Sequence, residues 1–475
     1  MTPPPPPTTL ALCFGNRGFF PESLVDAARA ELLAALDKAG LKALLPPGGL
    51  TRFNAVEGTA EGQAYARWLR EQRGKYDGVI LALPNFGDES GAAEALRDAG
   101  TPLYLLAWPD TLDAMDFQRR RDAFCGKLSI MDVFSQYGIR YTAWPPHTLS
   151  PATAEFQAQV ADFAAACRVV RAVGRCRIGM VGARPTAFKT IRVDEVALQR
   201  LGVTVEVWDN ADLLLRVQAL DMDSPDCRAR AERFHAYVDF SGGAPRQFEA
   251  LVKVSVALDR LADEAGLDAI ALRCWEDLQH SLGIAPCVVL GERNDRAGPA
   301  ACEGDVCNAL AMLALRAASG QPAACLDWNN NYGDDPDKCV LFHCGPVARS
   351  LMADGGTVID HPMFAKALGE GHGFGCHVGR IRPMPFTYAS VATVDGGARF
   401  YAGGGDFTTD PLPEEFFGCA GVARVPGLQQ ALLAIGREGY RHHVAVAPGG
   451  HARALREAFG RYLGYGETEL MKNEK

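Results

Sequence analysis

Ionisable residues border short apolar segments at four places in the second half of the chain. Glu303 precedes a predicted helix, Asp327 and His343 each end a short apolar run, and the pair His442-His443 leads into another. A buried carboxylate is costly unless it is paired or bound to a metal ion. Carboxylates and imidazoles together, without a cysteine, suit Mn²⁺ or Mg²⁺ better than a structural zinc ion. The pattern indicates a divalent-metal site that can also do acid–base chemistry.

Each of these residues also has an ordinary structural interpretation, and the pattern alone leaves both open. Glu303 and Asp305 could cap the following helix, because carboxylates favour helix N-termini. Asp327 could cap a turn over residues 328–333, where the asparagines would be turn residues. The histidine pair could lie on the surface.

The elements that must position these residues alternate between strands and helices through the first two thirds of the chain. Short apolar runs predict buried strands over residues 9–14, 77–83, 102–108, 177–182, 203–208, 268–273 and 287–290. Helical periodicity predicts helices over residues 22–39, 193–201 and 306–318, and residues 153–173 predict a long linking helix. This alternation is typical of two parallel α/β units.

The pattern changes character towards the C-terminus. Residues 377–407 alternate β-branched and aromatic side chains with glycine turns, which predicts antiparallel β-structure, with a small barrel as one arrangement. We therefore expect three domains, over residues 1–172, 173–318 and 319–475.

Composition and charge exclude several classes of protein. The chain has 48 Lys and Arg against 57 Asp and Glu, a net charge of −9, and no basic run. We therefore expect no nucleic-acid partner and no binding to anionic membranes. No apolar stretch reaches the length of about 18 residues that a membrane span needs. A glycine fingerprint that opens a helix after a strand is missing, which argues against a nicotinamide-dependent dehydrogenase.

The N-terminus and the cysteines bear on the compartment. The proline run at residues 3–7 predicts an extended tail and is neither the basic nor the apolar part of a secretory signal. The fourteen cysteines are scattered without a CxxC motif, which favours free thiols over a cysteine metal site. We expect a cytoplasmic protein.

The order and spacing of these residues resemble those of the L-fucose isomerase / L-arabinose isomerase superfamily. The resemblance rests on Glu-Gly-Asp at 303–305, Asp-Trp-Asn at 327–329, a histidine at 343 and the His-His pair at 442–443. The segment Arg-Cys-Trp-Glu at 273–276 is more similar to the fucose isomerase-like branch.

The resemblance implies a fold, an activity and a cofactor. The expected fold is α/β, with two Rossmann-like α/β domains followed by a β-barrel-containing C-terminal domain. The expected activity is a metal-dependent aldose–ketose isomerisation of a monosaccharide through an enediol. The expected cofactor is Mn²⁺ or another divalent cation such as Mg²⁺ or Co²⁺. The expected assembly is a homo-oligomer, a trimer or hexamer, with active sites near subunit interfaces.

It also implies roles for individual residues. Glu303 and Asp327 are the expected acid/base pair and metal ligands. His443 is the expected histidine ligand, with His442 as its rival, and His343 matches a fourth ligand of the arabinose branch. We expect four substrate contacts: Arg17, Trp328, Asn329 and His442.

The sugar itself stays open. A neutral, deoxy or anionic sugar is compatible with the sequence, and Arg17, Arg380 and Arg382 could meet a negative charge. The loop of Arg17 could also complete the site of a neighbouring subunit. The alternative function is a non-catalytic sugar-binding or sensing protein on the same scaffold, although such a protein would not need the two carboxylates.

Overall fold

The computed structural model describes residues 7–116 and 118–470, and the chain divides into two compact units. Of the described residues, the N-terminal unit comprises 7–116, 118–171 and 461–463, and the C-terminal unit comprises 172–460 and 464–470. Apart from Pro7, the predicted proline tail lies outside the described residues. The three domain boundaries stay a prediction. In the described part of the chain, every helix is too short or too polar to cross a bilayer.

The N-terminal unit is built on a parallel sheet with strand order β2-β1-β3-β4. Its strands are β1 (Thr9–Phe14), β2 (Lys42–Leu44), β3 (Gly78–Leu83) and β4 (Leu103–Ala107). Its helices are α1 (Ser23–Lys38), α2 (Thr59–Glu71), α3 (Glu89–Leu96), α4 (Ala123–Gln136) and α5 (Ala154–Val173). Alternate residues of β1 enter two different cores, because helices cover both faces of the sheet.

The first part of the C-terminal unit repeats this design. A second parallel sheet has the order β6-β5-β7-β8. Its strands are β5 (Arg177–Val181), β6 (Thr204–Trp208), β7 (Ala269–Leu272) and β8 (Ala300–Ala301). Its helices are α6 (Glu195–Arg200), α7 (Asn210–Gln218), α8 (Pro225–Tyr237), α9 (Pro245–Ala265), α10 (Asp277–Leu282), α11 (Cys287–Arg296) and α12 (Val306–Ser319).

The rest of the C-terminal unit is a nine-stranded mixed sheet. Its strands are β9 (Ala324–Asn331), β10 (Lys338–His343), β11 (Thr357–Asp360), β12 (Phe374–Arg380), β13 (Met384–Val394), β14 (Gly397–Phe407), β15 (Cys419–Arg424), β16 (His443–Pro448) and β17 (Gly466–Glu467). Its helices are α13 (Pro362–Leu368), α14 (Leu428–Arg437) and α15 (Ala452–Arg456). Helix α15 continues as a π-helix over Glu457–Leu463, whose last three residues belong to the N-terminal unit.

This sheet closes on itself. Strand β14 pairs with β13 along its length and also with β15, through Asp406 opposite Arg424 and Phe407 opposite Ala423. Strands β15, β10, β9, β16, β13 and β14 thus form a ring of six. The expected α/β class, with two parallel sheets and a C-terminal β-barrel, is confirmed.

Two local predictions are wrong. Residues 287–290 are the first turn of α11 and not a strand. All four are buried, and a fully buried helix shows the same unbroken apolar run as a buried strand. Asp327 does not cap a turn, because β9 continues through the polar residues to Asn331 and pairs there with β10.

Candidate metal and acid–base site

Glu303 is held in an uncommon backbone conformation two residues after the end of β8. Its φ is +62° and that of Gly304 is +77°, so the chain makes two left-handed steps before α12. Such a conformation costs about 1–3 kcal/mol for a residue with a side chain, and such residues occur in turns and cluster at active sites. The Gly304 N–H fixes the turn by donating to Leu272 O at 3.0 Å. Trp275 Nε1 donates a hydrogen bond to Glu303 Oε1 at 3.2 Å. The second carboxylate oxygen, Oε2, is therefore available for another contact.

Asp327 and His443 are brought together by strand register. They lie opposite each other in the antiparallel pair of β9 and β16, where facing side chains are close neighbours. His443 Nε2 is 3.5 Å from Asp327 Oδ1 and 3.1 Å from Glu303 Oε2. Glu303 after β8 and Asp327 on β9 thus each place a carboxylate oxygen beside Nε2 of His443 on β16, and His443 is fully buried.

Asp305 holds the other side of the His443 ring. Its Oδ1 accepts from the N–H of Asn308 and caps α12, so the capping interpretation is confirmed for Asp305. Its Oδ2 lies 2.9 Å from His443 Nδ1 and 3.3 Å from Arg441 Nε. A carboxylate that accepts from Nδ1–H fixes the tautomer and leaves the Nε2 lone pair free for a metal ion. Sequence reasoning missed Arg441, although it directly precedes the histidine pair.

Burial and charge shift the pKa values of this group. Burial raises the pKa of Asp327 above its usual range, although the nearby histidines oppose the shift. Burial alone would raise the pKa of Asp305. The nearby Arg441 and His443 have the larger effect, so the pKa of Asp305 is lowered. For His443, burial works against the charged form, yet Cys325 and Asp305 raise its pKa well above the usual value.

The other two histidines differ in their surroundings. The His442 side chain is 44% exposed and its Nε2 lies 3.7 Å from Asp327 Oδ1. His343 is buried; its Nδ1 accepts from the N–H of Cys344 at 2.9 Å, and its Nε2 has no hydrogen-bond partner. Donor atoms of Glu303, His343 and His443 all lie within 4.8 Å of one another, as do those of Asp327, His442 and His443.

The predicted substrate contacts have different environments. Trp328 Nε1 donates to Tyr401 OH at 3.3 Å, so its polar atom is already used within the barrel. Asn329 is exposed on β9. Arg17 belongs to the N-terminal unit, where it pairs with Glu89 and donates to a backbone carbonyl. Their contacts with a sugar stay predictions.

A cavity of about 220 Å³ borders Glu303 and its partner Trp275. Its wall includes His361 and Phe364 at α13. The sequence analysis did not identify His361 or Phe364 as functional. It named Trp275 only as part of the 273–276 segment that is similar to the fucose isomerase-like branch. The cavity gives a small ligand access to the carboxylate of Glu303.

The donor set fits a divalent ion. Asp327 Oδ1 is buried without a hydrogen-bond partner, which is costly unless a cation compensates it. Two carboxylates and one imidazole, with positions left for water or substrate oxygens, suit Mn²⁺, Mg²⁺ or a similar ion. The identity of the ion does not follow from the donors alone.

Two family comparisons match this chain. Residues 11–174 match the family described as "Fucose/sulfoquinovose isomerase, N-terminal domain", and residues 341–469 match "L-fucose isomerase, C-terminal domain". The second segment includes His343 and His443, whereas Glu303 and Asp327 lie between the two matched segments.

Several named relatives are sulfoquinovose isomerases. The protein of Priestia aryabhattai is 28% identical over 220 residues, which cover 45% of this chain and 48% of that protein. The protein of Clostridium sp. (strain MSTE9) is 30% identical over 204 residues, 42% of this chain and 44% of that protein. The protein of Alkalicoccus urumqiensis is 25% identical over 315 residues, 65% and 68% of the two chains. The chain spans about half the length of the first relatives that it matches.

Proposed function

We propose, from the premise that the chain belongs to the fucose/sulfoquinovose isomerase family, that it is a divalent-metal-dependent aldose–ketose isomerase. One observation carries the proposal: Glu303 Oε2 and Asp327 Oδ1 converge on His443 Nε2 at 3.1 and 3.5 Å. These are three of the residues for which the sequence predicted this chemistry.

Glu303, Asp327 and His443 are the proposed metal ligands. A bound Mn²⁺ or similar ion would act as a Lewis acid on the two sugar oxygens and stabilise the charge of an enediolate. Asp305 would hold the proton on Nδ1 of His443, so that a bound metal ion would displace the proton on Nε2. His343 remains a predicted further ligand.

Glu303 and Asp327 are also the proposed acid/base pair. Isomerisation removes the proton from carbon 2 of the aldose and returns one to carbon 1. The two carboxylates have unequal environments: Trp275 donates to Glu303, whereas burial raises the pKa of Asp327. Unequal environments allow one carboxyl group to accept a proton while the other holds one.

The substrate is an aldose, and we propose sulfoquinovose and L-fucose as the first two to test. Both sugars appear in the names of the matching families, and sulfoquinovose appears in the names of the relatives. The cavity beside Glu303 and Trp275 is the proposed place for the sugar.

The test compares the intact chain with Glu303→Gln in an assay for ketose formation. Metal is removed with a chelator and Mn²⁺ is added back. We expect activity only with metal present, and a loss of at least 100-fold in Glu303→Gln, since general acid–base catalysis contributes about 10²–10⁴-fold. Glu206→Gln is the matched control, because Glu206 forms a surface pair with Arg177. Full activity of the Glu303→Gln variant would overturn the assignment.

Assembly and location remain proposals of the same kind. We propose a homo-oligomer, a trimer or hexamer, in the cytoplasm, with Arg17 reaching the active site of a neighbouring subunit. Light scattering of the purified chain tests the assembly. A monomer with full isomerase activity would contradict the role of Arg17 in a neighbour's site.

A further inference from the structure

Four thiols gather beside the proposed catalytic site. They are contributed by four separate segments: Cys274 after β7, Cys287 at the start of α11, Cys302 after β8 and Cys344 after β10. Cys274, Cys287 and Cys302 are at most 4% exposed. Because each residue comes from a different segment, the spacing of the cysteines along the chain could not reveal the cluster.

The sulfur atoms contact one another in a chain. Cys274 Sγ is 2.9 Å from Cys302 Sγ, and Cys287 Sγ is 3.8 Å from Cys344 Sγ. Cys344 Sγ is also 3.3 Å from His343 Nδ1. Donor atoms of Cys302, Cys344 and His343 all lie within 4.8 Å of one another. Three donors that close on one another can surround a metal ion.

Other buried thiols nearby are accommodated differently. Cys376 Sγ donates to Cys344 O at 3.0 Å, and Cys419 Sγ donates to His377 O at 3.2 Å. Each of these thiols is satisfied by a backbone carbonyl, as expected of a thiol that only fills space in a core. In the cluster, the hydrogen-bond contacts of the sulfurs are with other sulfurs and an imidazole.

We propose that Cys302, Cys344 and the imidazole of His343 bind a thiophilic divalent ion of the Zn²⁺ class. A tetrahedral site with metal–sulfur bonds of about 2.3 Å places its sulfurs about 3.8 Å apart and its sulfur and nitrogen about 3.6 Å apart. Cys274 and Cys287 flank the site on either side and offer the fourth ligand. Binding converts the thiols to thiolates and releases their protons to solvent, with no change of oxidation state.

The chemistry separates this site from the carboxylate site. Thiolates select soft ions, whereas Glu303 and Asp327 with one imidazole suit harder ones. Cys274, Cys287 and Cys344 line the cavity of about 220 Å³, which gives an ion a path to the sulfurs. Because Nδ1 of His343 accepts from the Cys344 N–H, this assignment uses the one free ring nitrogen of His343 and competes with its predicted role as a further ligand of the carboxylate site. This assignment does not depend on the proposed isomerase activity.

The test uses Cd²⁺ as the probe on the full chain, reduced and stripped of metal. Saturating Mn²⁺ first fills the carboxylate site, and Cd²⁺ is then titrated while thiolate-to-cadmium charge-transfer absorption is recorded. We expect one equivalent of Cd²⁺ per chain to produce this absorption. Zn²⁺ should abolish it by competition.

Variants locate the signal. Cys302→Ser and Cys344→Ser should each lower the Cd²⁺ affinity at least tenfold, while Cys125→Ser, which changes an exposed cysteine, should leave the titration unchanged. If a variant fails to fold, the titration of the unmodified chain still decides the test, because a chain without charge-transfer absorption overturns the proposal. Three outcomes overturn the proposal: no charge-transfer absorption, absorption unchanged in both cluster variants, or a Cys274–Cys302 disulfide under reducing conditions.

Discussion

Asp305→Asn probes the residue that orients the central histidine without touching the proposed metal ion. The change replaces the buried carboxylate beside His443 Nδ1 and Arg441 Nε with an amide of nearly the same shape. The amide oxygen can still accept one hydrogen bond, but it brings no negative charge. The variant therefore removes electrostatic support while leaving volume almost unchanged.

The size of the effect follows from burial. The Asp305 and Arg441 side chains are 0% and 2% exposed, so the variant leaves a buried guanidinium without its counter-charge. Breaking a buried pair in this way costs about 3–5 kcal/mol of folding stability. Loss of an outer carboxylate partner of a metal-binding histidine lowers metal affinity about 10–100-fold, which equals about 1.4–2.8 kcal/mol.

The assay is isothermal titration of Mn²⁺ into metal-free protein, with urea unfolding of the same samples. Asp226→Asn is the control, because Asp226 pairs with Arg260 on the surface, where such a pair is worth about 1 kcal/mol or less. If folded Asp305→Asn binds Mn²⁺ within twofold of the original chain, Asp305 does not orient His443 for a metal ion.

Three further predictions test other parts of the molecule. In Mn²⁺ titrations, His443→Ala should lose at least 100-fold in affinity, whereas His442→Ala should stay within tenfold because that ring is half-exposed. Burial lowers the pKa of Lys127 from 10.5 to about 8, so the unfolded chain binds more protons between these pH values and stability should rise across that window. Lys127→Met should flatten the rise and add about 3 kcal/mol at pH 7, as measured by urea unfolding; an unchanged pH profile would refute this. Asp259 pairs with three arginines, including Arg293, so Asp259→Asn should cost about 3–5 kcal/mol of stability and leave Mn²⁺ affinity unchanged.

The sequence predicted most of the elements, and singled out charged residues that the structure brings together, for a common reason. The apolar run of β9 ends at Asp327, and polar residues next to buried strands are recognisable because burying them is costly. The two α/β units and the closing β-structure follow from periodicity, which reports which faces are buried. The helix beginning at Cys287 was missed because an element buried all round has no periodicity to read.

Other features depend on contacts between distant segments. The left-handed backbone at Glu303 is set by packing and by Gly304, not by any local propensity of glutamate. The pairing of Asp305 with His443 joins residues 138 positions apart. The thiol cluster likewise draws on four segments that are distant along the chain.

Isomerisation in D₂O, followed by NMR, tests the central claim most directly. The metal-free chain is loaded with Mn²⁺ and incubated with sulfoquinovose or L-fucose. An enediol mechanism predicts Mn²⁺-dependent ketose that carries solvent deuterium at carbon 1, because the transferred proton passes through Glu303 or Asp327. Ketose without deuterium at carbon 1, in which the hydrogen of carbon 2 has moved directly to carbon 1, or no ketose from either sugar with Mn²⁺ bound, would contradict the account.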